Sequence, residues 1–186
     1  MFNKPVTPFT LSVPDSVLSD LKQRLKNTRW PDEIPDNNWQ FGADLGYLKD
    51  LCTYWADEYD WRLHEGVINQ FKQYKAQVAG IDLHFIYEEG KGENPLPLLL
   101  SHGWPGSVYE FHKIIPMLTD PESYGGSPDD SFTVIAPSLP GFTFSYEPGQ
   151  ARFSVEEITD AFAELMTEVL GFDSLLLKGA IGVASS

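Results

Sequence analysis

Hydrophobic and polar positions divide the chain into a helical front and a rear in which strands alternate with helices. Residues 1–13, with prolines at 5 and 8, read as an extended lead-in. Pro14-Asp15-Ser16 opens a helix, since proline suits a first turn and an acid favours the positive end of the helix dipole. Leu18, Leu21 and Leu25 share one face, while Lys22, Arg24 and Lys26 point elsewhere. Arg29-Trp30-Pro31 ends this helix, because the residue before a proline resists the α conformation. A second helix is predicted near 43–57, with Leu45, Leu48, Cys52 and Trp55 on one stripe, and a third from Trp61 to roughly Phe71.

The pattern then changes period. Tyr74–Val78 and Ile81–Tyr87 are β-rich runs around Ala79-Gly80, which reads as a hairpin. His84 alternates with Leu83 and Phe85 and is expected to face solvent. Residues 88–94 form a polar loop too short to link independent domains. Pro95-Leu96-Pro97-Leu98-Leu99-Leu100 is a continuous apolar run, the mark of a strand buried on both faces. Val108, Phe111, Ile115 and Leu118 predict a helix capped by Ser107. A surface loop over 120–130 leads to a strand at 132–136. Val155, Ile158, Phe162, Leu165 and Val169 define the next helix, with Ser154 and Glu157 as its capping box and Gly171 as its stop. A strand at 174–177 follows. Strand-helix alternation from 95 onward predicts a parallel α/β sheet.

Composition narrows the function classes. Apolar residues make up 42% of the 186, enough for a real core. A formal charge of −14 argues against nucleic acid or an anionic membrane as partner. Cys52 is the sole cysteine and reads as a buried structural thiol in a reducing, cytoplasmic setting. No run approaches the ~20 apolar residues of a membrane span. Asp60 and His64 are spaced i, i+4 beside Glu65, but two ligands on one turn do not make a metal site; a salt-bridged helix face is expected, with no metal and no cofactor.

Candidate chemistry lies at Ser101-His102-Gly103-Trp104-Pro105-Gly106-Ser107, between an apolar strand and a helix. Two glycines and a proline cannot continue a strand, and Trp104-Pro105 is a candidate cis peptide. Such a turn aims backbone N–H groups into a cleft at the carboxyl end of a sheet strand. With Tyr109-Glu110-Phe111 behind it, this segment resembles the oxyanion loop of epoxide hydrolases of the α/β-hydrolase fold. Pro137-Ser138-Leu139-Pro140-Gly141 resembles the loop beside the active site in that family, with Thr143 where family members usually have glycine. Arg29-Trp30-Pro31 and the aromatic stretch from Tyr54-Trp55 to Tyr59-Asp60-Trp61-Arg62 resemble the N-terminal region of its microsomal type. The resemblance implies an N-terminal region over 1–94 and the first half of an α/β-hydrolase core over 95–186, on the family's soluble branch.

The resemblance also assigns roles. The Trp104 N–H would stabilise an oxyanion, His102 and Gly103 would shape the turn, and Pro105 would fix it. Phe142 and Phe144 are divided between pocket lining and core packing. The family's nucleophile, an Asp in Gly-Gly-Asp-x-Gly, aligns with Ala180 in Lys178-Gly179-Ala180-Ile181-Gly182, and alanine has no nucleophilic atom. Ser185 and Ser186 lie too far beyond the strand to replace it. The implied reaction converts a small apolar epoxide to a vicinal diol through an alkyl-enzyme ester, once a second half supplies lid, base and acid. The expectation is therefore a truncated chain, inactive alone, that could self-associate through an unpaired sheet edge or serve as a non-catalytic partner-binding module.

Overall fold

The computed structural model describes residues 2–35, 37, 39–173 and 176–179. Two compact units result, one of residues 11–66 and one of residues 1–10 with 67–186.

In the first unit, α1 (Asp15–Lys26) stops before Arg29-Trp30-Pro31 as the proline requires. Helix α2 (Leu45–Asp57) starts where the Asp44 carboxylate accepts the Tyr47 N–H at 2.8 Å. The third helix, α3 (Trp61–Ile68), ends three residues earlier than its pattern suggested. Helix α1 fully buries no residue and α2 only Ala56. Cys52 is half-buried rather than buried, because one helix lying on another covers only part of each apolar stripe. Leu18, Leu21, Leu51, Tyr54, Trp55 and Trp61 line an open cavity of about 650 Å3, which leaves Trp55 exposed.

The second unit is built on a six-stranded sheet in the order β1-β2-β3-β5-β4-β6. Its strands are β1 (Thr7–Phe9), β2 (Gln73–Val78), β3 (Ile81–Glu88), β4 (Leu96–Ser101), β5 (Phe132–Pro137) and β6 (Leu176–Gly179). The extended lead-in thus becomes an edge strand, antiparallel to β2. Ala79 and Gly80 turn the β2-β3 hairpin with φ of +49° and +77°, the conformation that a two-residue turn requires. Strand β3 pairs antiparallel with β5, while β4 is parallel to both β5 and β6.

Against expectation, His84 is fully buried. Both edges of β3 are paired and both of its faces are covered. Leu83 and Phe85 join the core with Leu99, Ile135, Phe162, Leu165 and Met166, while the rings of Phe9 and Phe144 pack on His84 from the other side. Period-two alternation implies a solvated face only where nothing covers that face.

After β4 the anticipated single helix is broken. Ser107 caps a 3-10 turn over Val108–Phe111, and α4 (Ile114–Thr119) starts afresh. Pro116 accounts for the break: it has no N–H for the His112 carbonyl, so it is tolerated only in the first turn of a helix. Helix α5 (Val155–Glu164) carries the expected Ser154-Glu157 capping box, runs into a π-turn at Leu165–Val169, and stops at Gly171 with φ +79°. Strand β6 extends to Gly179, two residues past the predicted end, while Ser174 and Leu175 lie outside the described residues. No described helix is long and apolar enough to cross a membrane.

Candidate active site

Strands β4, β5 and β6 run parallel, with Ser101 opposite Gly179 in register. Their carboxyl ends therefore share one edge of the sheet, where the loops following β4 and β5 emerge. Open α/β sheets bind ligands at this edge.

The loop after β4 is shaped by its own residues. The Trp104-Pro105 bond is cis. A Cβ on Gly106 would lie 2.8 Å from the Gly103 carbonyl oxygen and collide with the Glu110 carboxylate, so only glycine fits. Glu110 accepts the Ser107 N–H at 3.1 Å, and Ser107 Oγ accepts the Tyr109 N–H at 3.2 Å. Trp104 is 72% exposed, and its backbone N–H meets no acceptor among the described residues.

His102 is buried, and both of its ring nitrogens are used. Its Nε2 accepts the Leu139 N–H at 3.1 Å, so Nδ1 carries the proton and donates to the Gly103 carbonyl at 3.0 Å. The imidazole thus bridges the two loops in a single neutral tautomer.

The loop after β5 is held from outside. Ser138 N–H donates to the His84 carbonyl at 2.9 Å, and the His84 N–H donates to Ser145 Oγ at 3.0 Å. Ser145 Oγ in turn donates to the Ser138 carbonyl at 2.9 Å. Gln73 uses its amide NH2 on the Ile68 carbonyl and Asn69 Oδ1, leaving Oε1 to accept His84 Nε2–H at 3.1 Å. Ser138 Oγ then donates to His84 Nδ1 at 2.9 Å. Burial, with the nearby Lys75 charge adding to it, pushes the His84 pKa down to about 3. None of this network was foreseen. The one available signal was Ile86, an apolar residue two positions on from His84 and therefore on the same face of the strand.

The remaining candidates fall as follows. Phe144 packs on Phe9 and His84, with ring centroids 5.6 and 4.9 Å away, which is the packing alternative. Phe142 is half-buried and donates its N–H to the Leu139 carbonyl. Ala180, Ser185 and Ser186 lie outside the described residues. Among the described residues no cluster of three or more His, Cys, Asp or Glu side chains is placed to hold a metal. In particular, the Glu65 carboxylate is occupied by the Val13 N–H (2.7 Å), Trp61 Nε1 (3.2 Å) and Arg62 (2.6 Å). The Val13 hydrogen bond does most to hold it below the usual carboxylate range, against burial. His64 stacks on Tyr59.

A mixed sheet with parallel β5-β4-β6, helices following its strands and a glycine-proline loop at the carboxyl edge defines an α/β-hydrolase core. The family description "alpha/beta hydrolase fold" matches residues 97–179, and "Epoxide hydrolase N terminus" matches residues 6–111. The chain belongs to the epoxide hydrolase family and matches the N-terminal portion of its members. It is 48% identical to a putative epoxide hydrolase of Stigmatella aurantiaca over 94% of this chain and 39% of that protein. It is 36% identical to epoxide hydrolase 1 of Oryctolagus cuniculus over 95% of this chain and 40% of that protein. The crystal structure of juvenile hormone epoxide hydrolase from Bombyx mori superposes with a TM-score of 0.82 at 32% identity, covering 96% of this chain and 47% of the other. The chain thus spans about two fifths of the length of these curated relatives.

Proposed function

We propose that the chain supplies the oxyanion-loop half of a site that hydrolyses a small apolar epoxide to a vicinal diol. In this chemistry a carboxylate oxygen attacks an epoxide carbon, the C–O bond breaks, and the ring oxygen takes a proton. Water then adds to the ester carbonyl, and the negative oxygen of the tetrahedral intermediate needs fixed N–H donors. The observation that carries this reading is the Trp104 N–H at the carboxyl edge of β4, one strand from the end of β6, which meets no acceptor among the described residues. His102, Gly103 and Pro105 hold that N–H in place, and Phe142 borders the neighbouring loop. Residues 1–94 act as the family's N-terminal region and residues 95–186 as the first half of the core. The single cysteine suits a cytoplasmic setting.

The nucleophile position is Ala180, and residues 178–186 contain no Asp or Glu. With alanine at that position these residues form no alkyl-enzyme ester and are inactive alone. Incubation with styrene oxide is expected to yield no diol and no mass adduct. The Ala180→Asp variant is expected to gain one epoxide mass at that position. Diol production by the unaltered chain, or a folded variant that never alkylates, would sink the assignment.

A second, non-catalytic reading rests on β6, the last described strand of the sheet, where Leu176 is about half exposed. Its outer edge would pair with a second copy. Sedimentation over a hundredfold concentration range separates a dimerising edge from a monomer.

A further inference from the structure

We propose that His84 is the positioning residue for the oxyanion loop, acting at a distance through the loop that follows β5. All four of its polar atoms are engaged, and three of them reach that loop. The carbonyl and Nδ1 hold Ser138 and the backbone N–H holds Ser145. One residue in the middle of the sheet therefore pins both ends of the 138–145 segment. The fourth atom, Nε2, is anchored by Gln73, whose own amide is fixed on Ile68 and Asn69. The rings of Phe9 and Phe144, each 4.9 Å from the imidazole, keep water away from these bonds.

Leu139 follows directly on the pinned Ser138, and its N–H is the donor that selects the His102 tautomer at 3.1 Å. With Nε2 so occupied, Nδ1–H points at the Gly103 carbonyl, the peptide whose N–H belongs to Trp104. Hydrogen bonds, joined by the Ser138–Leu139 peptide link, thus run from Gln73 through His84, Ser138, Leu139 and His102 to the Gly103-Trp104 peptide. If Ser138 were released, Leu139 could leave His102, the imidazole could exchange its proton between nitrogens, and the peptide carrying the oxyanion donor would lose its orientation. The inference rests on the reading of this loop as an oxyanion site, but its test does not depend on turnover.

The experiment uses the full chain labelled with 15N in backbone and histidine rings. In the unaltered protein, His102 is expected to show a protonated Nδ1, an unprotonated Nε2, and a scalar coupling across the Leu139 N–H···Nε2 bond. In Ser138→Ala and in Ser145→Ala, that coupling is expected to disappear and the two ring resonances to converge towards the values of a tautomer mixture. Val169→Ala, a core truncation outside the 138–145 segment that touches none of its hydrogen bonds to His84, is the control for destabilisation alone and is expected to leave His102 unchanged. Three results would overturn the proposal: an Nε2-protonated His102 in the unaltered chain, an intact coupling in both serine variants, or a loss of coupling in Val169→Ala equal to theirs. Diol production by the unaltered chain, or a folded Ala180→Asp variant that never alkylates, with the NMR pattern as expected would leave the positioning role standing and count only against the hydrolase reading.

Discussion

The two loops that meet at the carboxyl edge of the sheet are built in opposite ways. The segment 102–107 is shaped locally: by Gly106, where a Cβ has no room, by a cis Trp104-Pro105 bond, and by the Ser107-Glu110 cap. Its tip stands open to solvent. The segment 138–145 has turn hydrogen bonds of its own, Phe142 N–H to the Leu139 carbonyl and Ser145 N–H to the Phe142 carbonyl, but its two ends are fixed by a partner elsewhere in the chain. Ser138 and Ser145 bond to His84 across sequence separations of 54 and 61 residues. A loop shaped by its own residues can present an exposed N–H to a substrate, whereas a loop shaped by buried partners can serve as the fixed surface against which the first is aligned. Both kinds are needed to hold a donor rigidly in a cleft.

Truncation should expose this contrast most strongly. His84→Ala empties a fully enclosed site and leaves Gln73 and Ser138 groups without partners, so a loss of about 3–5 kcal/mol is expected in urea unfolding. Trp104→Ala, at the exposed tip of the other loop, should stay within about 0.5 kcal/mol. Equal costs would dissolve the distinction. Acid should reveal the same asymmetry at smaller size. His84 has its pKa depressed from 6.5 to about 3 in the fold, so the unfolded chain takes up the proton first. Its stabilising contribution is complete above pH 6.5, declines as pH falls from there, and is gone below about 3. By pH 5 the loss is about 2 kcal/mol. The slope of stability against pH, compared between the unaltered chain and His84→Gln, isolates this from the carboxylates. Identical slopes would mean that His84 is not sealed as described.

The contrast also explains what could be read in the sequence. Features set by neighbours along the chain were legible: the Ser107 and Ser154 caps, the Ala79-Gly80 turn, the Gly171 stop, the glycine-proline break after β4. The parallel sheet was legible too, because buried strands announce themselves as apolar runs. What escaped was set by distant covering. Alternation around His84 looked like one dry face and one wet one, and nothing local reveals that Phe9 and Phe144 close the wet side. Pro116 breaks the helix predicted from Val108 to Leu118, a local effect that the spacing of its apolar residues does not carry. Ala180, the position proposed for the nucleophile, lies outside the described residues. Gly106→Ala tests the legible side of this argument. The new methyl group must displace the Glu110 carboxylate and press on the Gly103 carbonyl, for an expected cost of about 1–2 kcal/mol in thermal or urea unfolding. A neutral result would mean that the loop yields easily and is not locally fixed.

The smallest effect concerns the one place where the buried-partner loop violates a local rule. Thr143 has φ +44°, in the left-handed region that β-branched residues avoid, and it stands where relatives were expected to carry glycine. Left-handed geometry costs a non-glycine residue about 1–2 kcal/mol. Replacing it with glycine removes that strain but enlarges the freedom of the unfolded chain, which offsets about 0.5–1 kcal/mol. Thr143→Gly should therefore stabilise the chain by less than about 1 kcal/mol, seen as a small rise in the urea midpoint. Thr143→Ala, which keeps a Cβ but loses the branch, should gain less. The sign is what matters. A stabilising glycine means the hydrogen bonds to His84 impose the loop's path on an unwilling residue, as a segment held from outside requires. A destabilising one would mean that Thr143 itself helps to shape the turn, and the division between the two loops would be one of degree.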